Sequence, residues 1–171
     1  WFTVIMARAV GRSGKIHGCE LKLAIATFCQ MCMERYDKAY DSTYTDRCYI
    51  NQVNCFRLKD VLYDRIHVGC QITHEQLMRL TLILKPTGII VAPCDGHLTV
   101  YRMDRREKEQ LFPVMYADAV EPDEDEVWQT WDGRTVGDFK KEEQISQLGK
   151  NCMRQTKYSD AIVQVDTEWS F

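Results

Sequence analysis

The hydrophobic and polar positions change period several times along the chain, and each change predicts an element. Residues 2–10 are apolar apart from Arg8 and fit a short strand or a helix, and the Gly11-Arg12-Ser13-Gly14-Lys15 stretch punctuates them. Residues 21–26 (LKLAIA) alternate and then thicken, which predicts a buried strand, and the polar periodic run 33–44 predicts a helix behind it. Residues 47–56 are β-rich and predict the next strand. Strand, helix and strand with a crossover of this length form a right-handed βαβ unit. Residues 58–66 predict a weaker helix that Gly69 and Cys70 break. Thr73 with Gln76 three positions on predicts a capping box, and Leu77, Leu80 and Leu84 the buried stripe of that helix. Lys85-Pro86-Thr87 ends it. Residues 88–92 and 98–103 predict two strands joined through Cys94-Asp95-Gly96-His97, because Asp-Gly between β-rich runs is a strong hairpin signal. Residues 104–111 predict a charged helix whose apolar end runs on through Phe112, Val114, Met115 and Tyr116.

From Ala119 the character changes. An acidic run from Glu121 to Glu126 marks where a core domain can end, which divides the chain into a domain at 1–118 and an extension at 119–171. Within the extension, 128–134 predict a hairpin, 139–148 a polar helix closed by Gly149, and 161–165 a last strand. No internal repeat or low-complexity tract is present.

Size and composition narrow the function classes. A chain of 171 residues, 45% of them hydrophobic, can bury one real core. A formal charge of −3 gives no electrostatic footprint for nucleic acid. No run of eighteen apolar residues occurs, so no membrane span is predicted. Eight cysteines are many for this length, yet only Cys29 and Cys32 sit at a motif spacing. The remaining six read as small core hydrophobes or, in an exported protein, as disulfide partners.

The chemistry centres on Cys29-Gln30-Met31-Cys32. On the pattern above, these residues stand where a strand hands over to a helix. Unpaired N–H groups and the dipole at a helix N-terminus favour a thiolate, the reactive form of cysteine. Two thiols at this spacing can exchange between dithiol and disulfide. The same pair could hold zinc with Cys48, Cys55, Cys70 or His67, but no second Cys-x-x-Cys is present. The Gly11–Lys15 stretch is a turn rather than a phosphate loop: Ala9 stands where the first glycine belongs, and Ile16 where a hydroxyl must meet magnesium. His17, His67, His74 and His97 have no Ser or Asp partner at a recognisable spacing and read as surface or capping residues. The acidic run lacks the spaced ligands of an EF-hand loop. Trp128 and Trp131 read as packing residues.

The order strand, Cys-x-x-Cys, helix, strand, helix, Pro, hairpin, helix resembles the thioredoxin superfamily, and most of all exported bacterial thioredoxin-like proteins. "ATFCQMC" is similar to the family's redox site and "YINQVN" to its central strand. "LILKPTGIIVAPCDGHLTVYRM" is similar to the stretch holding its cis-proline and last hairpin, and "REKEQLFPVM" to its closing helix. Gln30-Met31 replaces the usual dipeptide, Phe28 stands where Trp is usual, and Leu23 where a buried Asp stands. The resemblance implies an α/β, thioredoxin-like three-layer fold, a mixed central sheet flanked by helices, with a C-terminal extension. It implies that Cys29 is the exposed attacking thiol, Cys32 the buried resolving thiol, and Pro86 a cis-proline facing them. Phe28, Gln30, Met31, Lys85 and Thr87 would contact the substrate, Lys85 through its backbone. The implied activity is thiol–disulfide oxidoreduction: Cys29 attacks a disulfide and Cys32 resolves the mixed disulfide. No cofactor or metal is implied beyond the dithiol. The implied partners are protein thiols or disulfides and a redox partner protein, with no nucleic acid, and the implied compartment is extracytoplasmic, a periplasm or secretory lumen. An inactive thioredoxin-like interaction module stays open at this point.

Overall fold

The computed structural model describes residues 2–40, 43–59, 61–122 and 163–166, the last four as backbone. In chain order the elements are α1 (Phe2–Ala9), β1 (Ile16–Glu20), α2 (Leu23–Tyr40), β2 (Cys48–Gln52), β3 (Tyr63–Val68), α3 (His74–Thr81), β4 (Leu84–Cys94), β5 (His97–Arg102), β6 (Glu107–Pro113) and β7 (Val163–Asp166). Short 3-10 turns cover Tyr44–Arg47 and Cys55–Arg57. The expected hairpin at 128–134 and helix at 139–148, with Trp128, Trp131 and Cys152, lie outside the described residues. The expected strand at 161–165 overlaps β7.

The strands form one mixed sheet in the order β2-β1-β7-β3-β4-β5-β6. β1 pairs parallel with β2, and β3 pairs parallel with β4. β7 runs antiparallel to both β1 and β3. The four strands β2, β1, β3 and β4 therefore share one direction, and β5 and β6 extend the sheet as an antiparallel meander. The chain steps outward one way from β1 to β2 and the other way from β3 to β4. Right-handed crossovers then put α2 and α3 on opposite faces.

The core divides accordingly. Val4, Ala7, Val10, Ile16, Ala26, Met33, Cys48 and Ile50 form a cluster beneath α1 and α2. A larger cluster beneath α3 includes Tyr63, Ile66, Val68, Ile72, Leu77, Leu80, Ile90 and Tyr101. Strand alternation sends Ile16 of β1 to the first cluster and Cys19 to the second. Gly18 faces Ile50, whose Cγ1 would stand 3.0 Å from a Cβ placed there, so a side chain at this position would press on Ile50. Leu77, Leu80, Ile72 and Ile90 are 0–1% exposed, and each such side chain contributes about 1.5–3 kcal/mol by leaving water.

Local chemistry sets several elements as expected. Thr73 Oγ1 accepts from Gln76 N at 3.2 Å and Gln76 Oε1 accepts from Thr73 N at 2.9 Å, a complete capping box. Asp95 and Gly96 adopt φ of 52° and 78°, the left-handed pair a two-residue hairpin turn needs. The βαβ unit is present as β1-α2-β2.

Other expectations are corrected. The strand read at 21–26 lies at Ile16–Glu20 instead, and Leu23 already begins α2. The carbonyl of Lys22 accepts from both Ile25 N and Ala26 N, at 3.0 Å each, so the helix starts there. The Leu and Ala residues of LKLAIA favour a helix as readily as they satisfy an alternating pattern. The expected helix at 58–66 is replaced from Tyr63 onward by β3, whose Tyr63 and Ile66 are buried. The expected helix at 104–111 is a tight turn followed by β6, drawn into the sheet by pairing from Leu98↔Phe112 to Arg102↔Glu107. Leu84, read as helical, is the buried first residue of β4.

Candidate functional site

The residues singled out in the sequence do not converge. Cys29 and Cys32 both lie inside α2, well past its first turn. The buried stripe of α2 runs through Ala26, Cys29, Met33 and Tyr36, spaced by three, four and three, with Cys29 and Tyr36 partly buried against the first cluster. Cys29 is thus half-buried in that stripe and Cys32 is exposed, the reverse of the expected assignment. Phe28 is 53% exposed, and Gln30 and Met31 are half-buried on the same helix. Gln30 Nε2 donates to Glu34 Oε1 at 3.2 Å.

Pro86 is correspondingly not a cis-proline. Among the described residues no cis peptide bond is present, and Pro86 is exposed in β4. Between the pairs Tyr63↔Leu84 and Arg65↔Ile89 the register shifts, so residues 85–88 bulge away from β3. A proline, which has no N–H to give to a ladder, is tolerated in such a bulge. Lys85 Nζ forms an ion pair with Asp64 Oδ2 at 2.8 Å, and Thr87 is exposed. Lys85 and Thr87 therefore belong to the β3–β4 bulge, while Phe28, Gln30 and Met31 belong to α2.

A different place brings chemistry together. In an open sheet of parallel strands, the point where the strand order reverses leaves a crevice at the carboxyl ends of the strands. Here the reversal falls across β7, which lies antiparallel between β1 and β3, and the carboxyl ends of those two strands are Glu20 and Val68. Glu20 is 2% exposed, and a carboxylate is rarely so buried without a purpose or a partner. Its Oε1 accepts from Lys22 N at 2.9 Å, at the residue that caps α2, so the carboxylate stands at the positive end of that helix. Its backbone carbonyl accepts from Val53 N at 2.9 Å, which ties the end of β2 to the end of β1. Gln52 Nε2 donates to the Leu21 carbonyl at 3.2 Å, and Asn54 Oδ1 accepts from Phe56 N at 3.0 Å, capping the next turn.

Two thiols, Cys19 and Cys70, feel the Glu20 charge, and a third, Cys55, lies beside them. Burial pushes Cys19 up to about 12, and Glu20 adds to it. Burial pushes Cys70 up to about 11, with further contributions from Glu20 and Asp118. Burial raises Cys55 strongly, with Cys19 and Cys70 adding. All three are therefore protonated near neutral pH and poor nucleophiles. The segment after β3 is pinned in place: Gln71 N donates to the Ala117 carbonyl at 2.8 Å, and Ala119 N to the Gln71 carbonyl at 2.9 Å. Oriented to accept, the Gln71 side-chain oxygen takes Asp95 N at 3.0 Å and Gly96 N at 2.6 Å.

Among the described residues, no group of three or more His, Cys, Asp or Glu side chains is arranged to hold a metal ion. None of the seven described cysteines is joined in a disulfide. No described helix is long and apolar enough to cross a membrane. Sequence reasoning passed over Glu20. The available signal was an acidic residue ending a short run (IHGCE) directly ahead of a helix, and it was masked by the stronger apolar run that follows.

No family model matches the chain, and no curated protein or solved structure matches it either. Fold and site define an α/β domain whose parallel strands reverse order beside a buried carboxylate.

Proposed function

We propose that this domain binds a small molecule containing a ribose at the carboxyl ends of β1 and β3, with Glu20 accepting from the ribose hydroxyls. The observation that carries the reading is the buried carboxylate at the strand-order reversal. In doubly wound folds that bind nucleotides, an acidic side chain at a strand end takes the ribose hydroxyls. The argument is one of fold-level analogy joined to that side chain. The two described strand-to-helix turns, residues 21–22 and 69–73, lack the glycine pattern that lets a backbone cradle a diphosphate. This favours a nucleoside without a diphosphate.

The test is thermal unfolding of the full chain with adenosine, S-adenosylmethionine (an adenosine bearing a sulfonium instead of phosphates) and NAD. At about a hundred times its Kd, a ligand adds about 2.7 kcal/mol of stability. One of the first two probes should raise Tm, NAD should raise it less, and Glu20→Gln should abolish the effect while leaving a cooperative transition. Equal silence toward all three probes overturns the proposal.

Thiol–disulfide oxidoreduction is the second reading, together with the thioredoxin-like arrangement that implies it. One observation favours it: Cys29 and Cys32 lie three residues apart on one helix, with Cys32 exposed. An insulin-reduction assay decides it. Turnover that disappears in Cys32→Ser would support this reading, and no turnover would leave the two cysteines as helix residues.

A further inference from the structure

The β4–β5 turn carries a second reactive cluster, remote from the crevice carboxylate in its chemistry. Cys94 closes β4, Asp95 forms the turn, and Lys108 reaches in from β6. Lys108 Nζ lies 3.6 Å from Cys94 Sγ and 3.2 Å from Asp95 Oδ2. Cys94 Sγ donates to the same carboxylate oxygen at 3.4 Å. A thiol, an amine and a carboxylate thus form a closed triangle. Cys94 itself has no exposed surface, but the Asp95 and Lys108 side chains are 48% and 24% exposed. A small oxidant therefore reaches Sγ only past the Asp95 and Lys108 side chains, which separate it from solvent. Burial raises the Cys94 thiol, the Lys108 ammonium pulls it partly back and Asp95 pushes it up again, so the reacting thiolate is the minor form.

We propose that Cys94 and Lys108 are a modification site, joined by a covalent Sγ–Nζ bond when the protein meets a hydroperoxide. The first step is ordinary cysteine oxidation. The thiolate attacks a peroxide oxygen, the O–O bond breaks, and Cys94 becomes a sulfenic acid as water leaves. In the second step the neutral amine of Lys108, its proton passed to Asp95 or solvent, attacks Sγ. The S–O bond breaks, the S–N bond forms, and the hydroxyl departs as a second water. In sum, one thiol, one amine and one hydrogen peroxide give one sulfenamide and two waters. Sulfur is oxidised by two electrons and the peroxide is reduced by two. Sulfenic acids condense with a backbone nitrogen to a sulfenamide, and here the Lys108 amine takes the place of that nitrogen. The separation of 3.6 Å is close to the reacting distance of about 3–3.5 Å for a near-attack arrangement. The bond would staple the exposed edge strand β6 to the turn that Gln71 also holds. It does not rest on the nucleoside reading.

The experiment treats the reduced full-length chain with hydrogen peroxide, blocks remaining thiols, digests it and maps the peptides by mass. The expected result is a joined pair of peptides containing residues 94 and 108, lighter than their sum by about 2 Da. A thiol reductant should separate the pair. Cys94→Ser and Lys108→Arg should each abolish it, both with wild-type circular dichroism, and the arginine variant keeps a cation beside Asp95. Recovery of Cys94 as sulfinic or sulfonic acid, as a disulfide with another cysteine, or unmodified while other cysteines oxidise overturns the proposal.

Discussion

Mild acid should destabilise this protein through His17. The residue is 3% exposed, and its Nδ1 lies 3.1 Å from Tyr63 Oη, itself fully buried. Its ring meets Tyr49 and Tyr63 edge-on, at centroid distances of 5.7 and 5.6 Å. Where the tyrosine donates, Nδ1 accepts and the ring is neutral. Burial holds the pKa down from 6.5 to about 4, with Lys15 adding to the effect. The unfolded chain takes up its proton near 6.5, so between there and about 4 the unfolded state binds more protons than the folded one. The stability from a neutral His17 is fully present above 6.5 and is lost as pH falls toward 4. At about 1.36 kcal/mol per unit, the loss is about 2 kcal/mol at pH 5 and about 3 kcal/mol at pH 4. His67, also lowered by burial, adds to the wild-type loss in the same direction. The assay is urea unfolding of wild type, His17→Asn and His17→Gln at about pH 7.5 and pH 5. Each variant is less stable at the higher pH, but its drop on acidification should be smaller than that of wild type by about 2 kcal/mol. Drops that agree within about 0.5 kcal/mol, the usual scatter of such differences, would refute the reasoning.

Three further outcomes follow from packing and capping. Gly88→Ala should destabilise by about 1–3 kcal/mol in denaturant unfolding, because its Cβ would stand 2.5 Å from Leu84 Cγ and 2.9 Å from the Lys85 carbonyl oxygen; adding Leu84→Ala should recover none of the backbone clash. Arg47→Ala should cost about 1–3 kcal/mol by the same measurement, since Arg47 donates to the carbonyls of Ala7, Gly11 and Gly14 at the end of α1, and Arg47→Lys, with one donor group in place of a fork, should not restore it. Thr73→Ala should lower stability by about 1 kcal/mol, and Thr73→Ser should keep most of the wild-type value.

What was legible in the sequence was what short stretches decide for themselves. Thr73 and Gln76 cap α3 with their own side chains, and Asp95-Gly96 takes the left-handed backbone that few other pairs take without strain. The misread elements are those that pairing decides. In β6 most positions are exposed, so its charged residues carry no alternation to betray a strand, and only β5 beside it makes it one. Residues 21–26 satisfied two patterns at once, and the hydrogen bonds from Ile25 and Ala26 to Lys22 settle the matter. The candidate crevice was out of reach for a further reason. It is a property of strand order: β1 and β3 step outward in opposite directions, and β7, which lies between them, comes from more than ninety residues beyond β3 in the chain.

The same electrostatic argument that pointed to Cys29 points elsewhere once the start of α2 is known. A helix favours negative charge at its N-terminus because the first N–H groups have no intrahelical partner, and the effect fades within the first turn. Cys29 is the seventh residue of α2, where N–H groups are spent on the preceding turn, so a thiolate there gains nothing from the helix. Glu20 stands three residues before Leu23, with its carboxylate on the Lys22 N–H. The anion that the helix start stabilises, by about 0.3–1 kcal/mol or more when buried, is therefore a carboxylate. A buried thiolate beside it would suffer repulsion from the same charge, and Cys19 and Cys70 are raised in part by Glu20. A hydrogen-bond acceptor is what this end of the sheet offers, and a partner that brings hydroxyl donors fits it better than a disulfide.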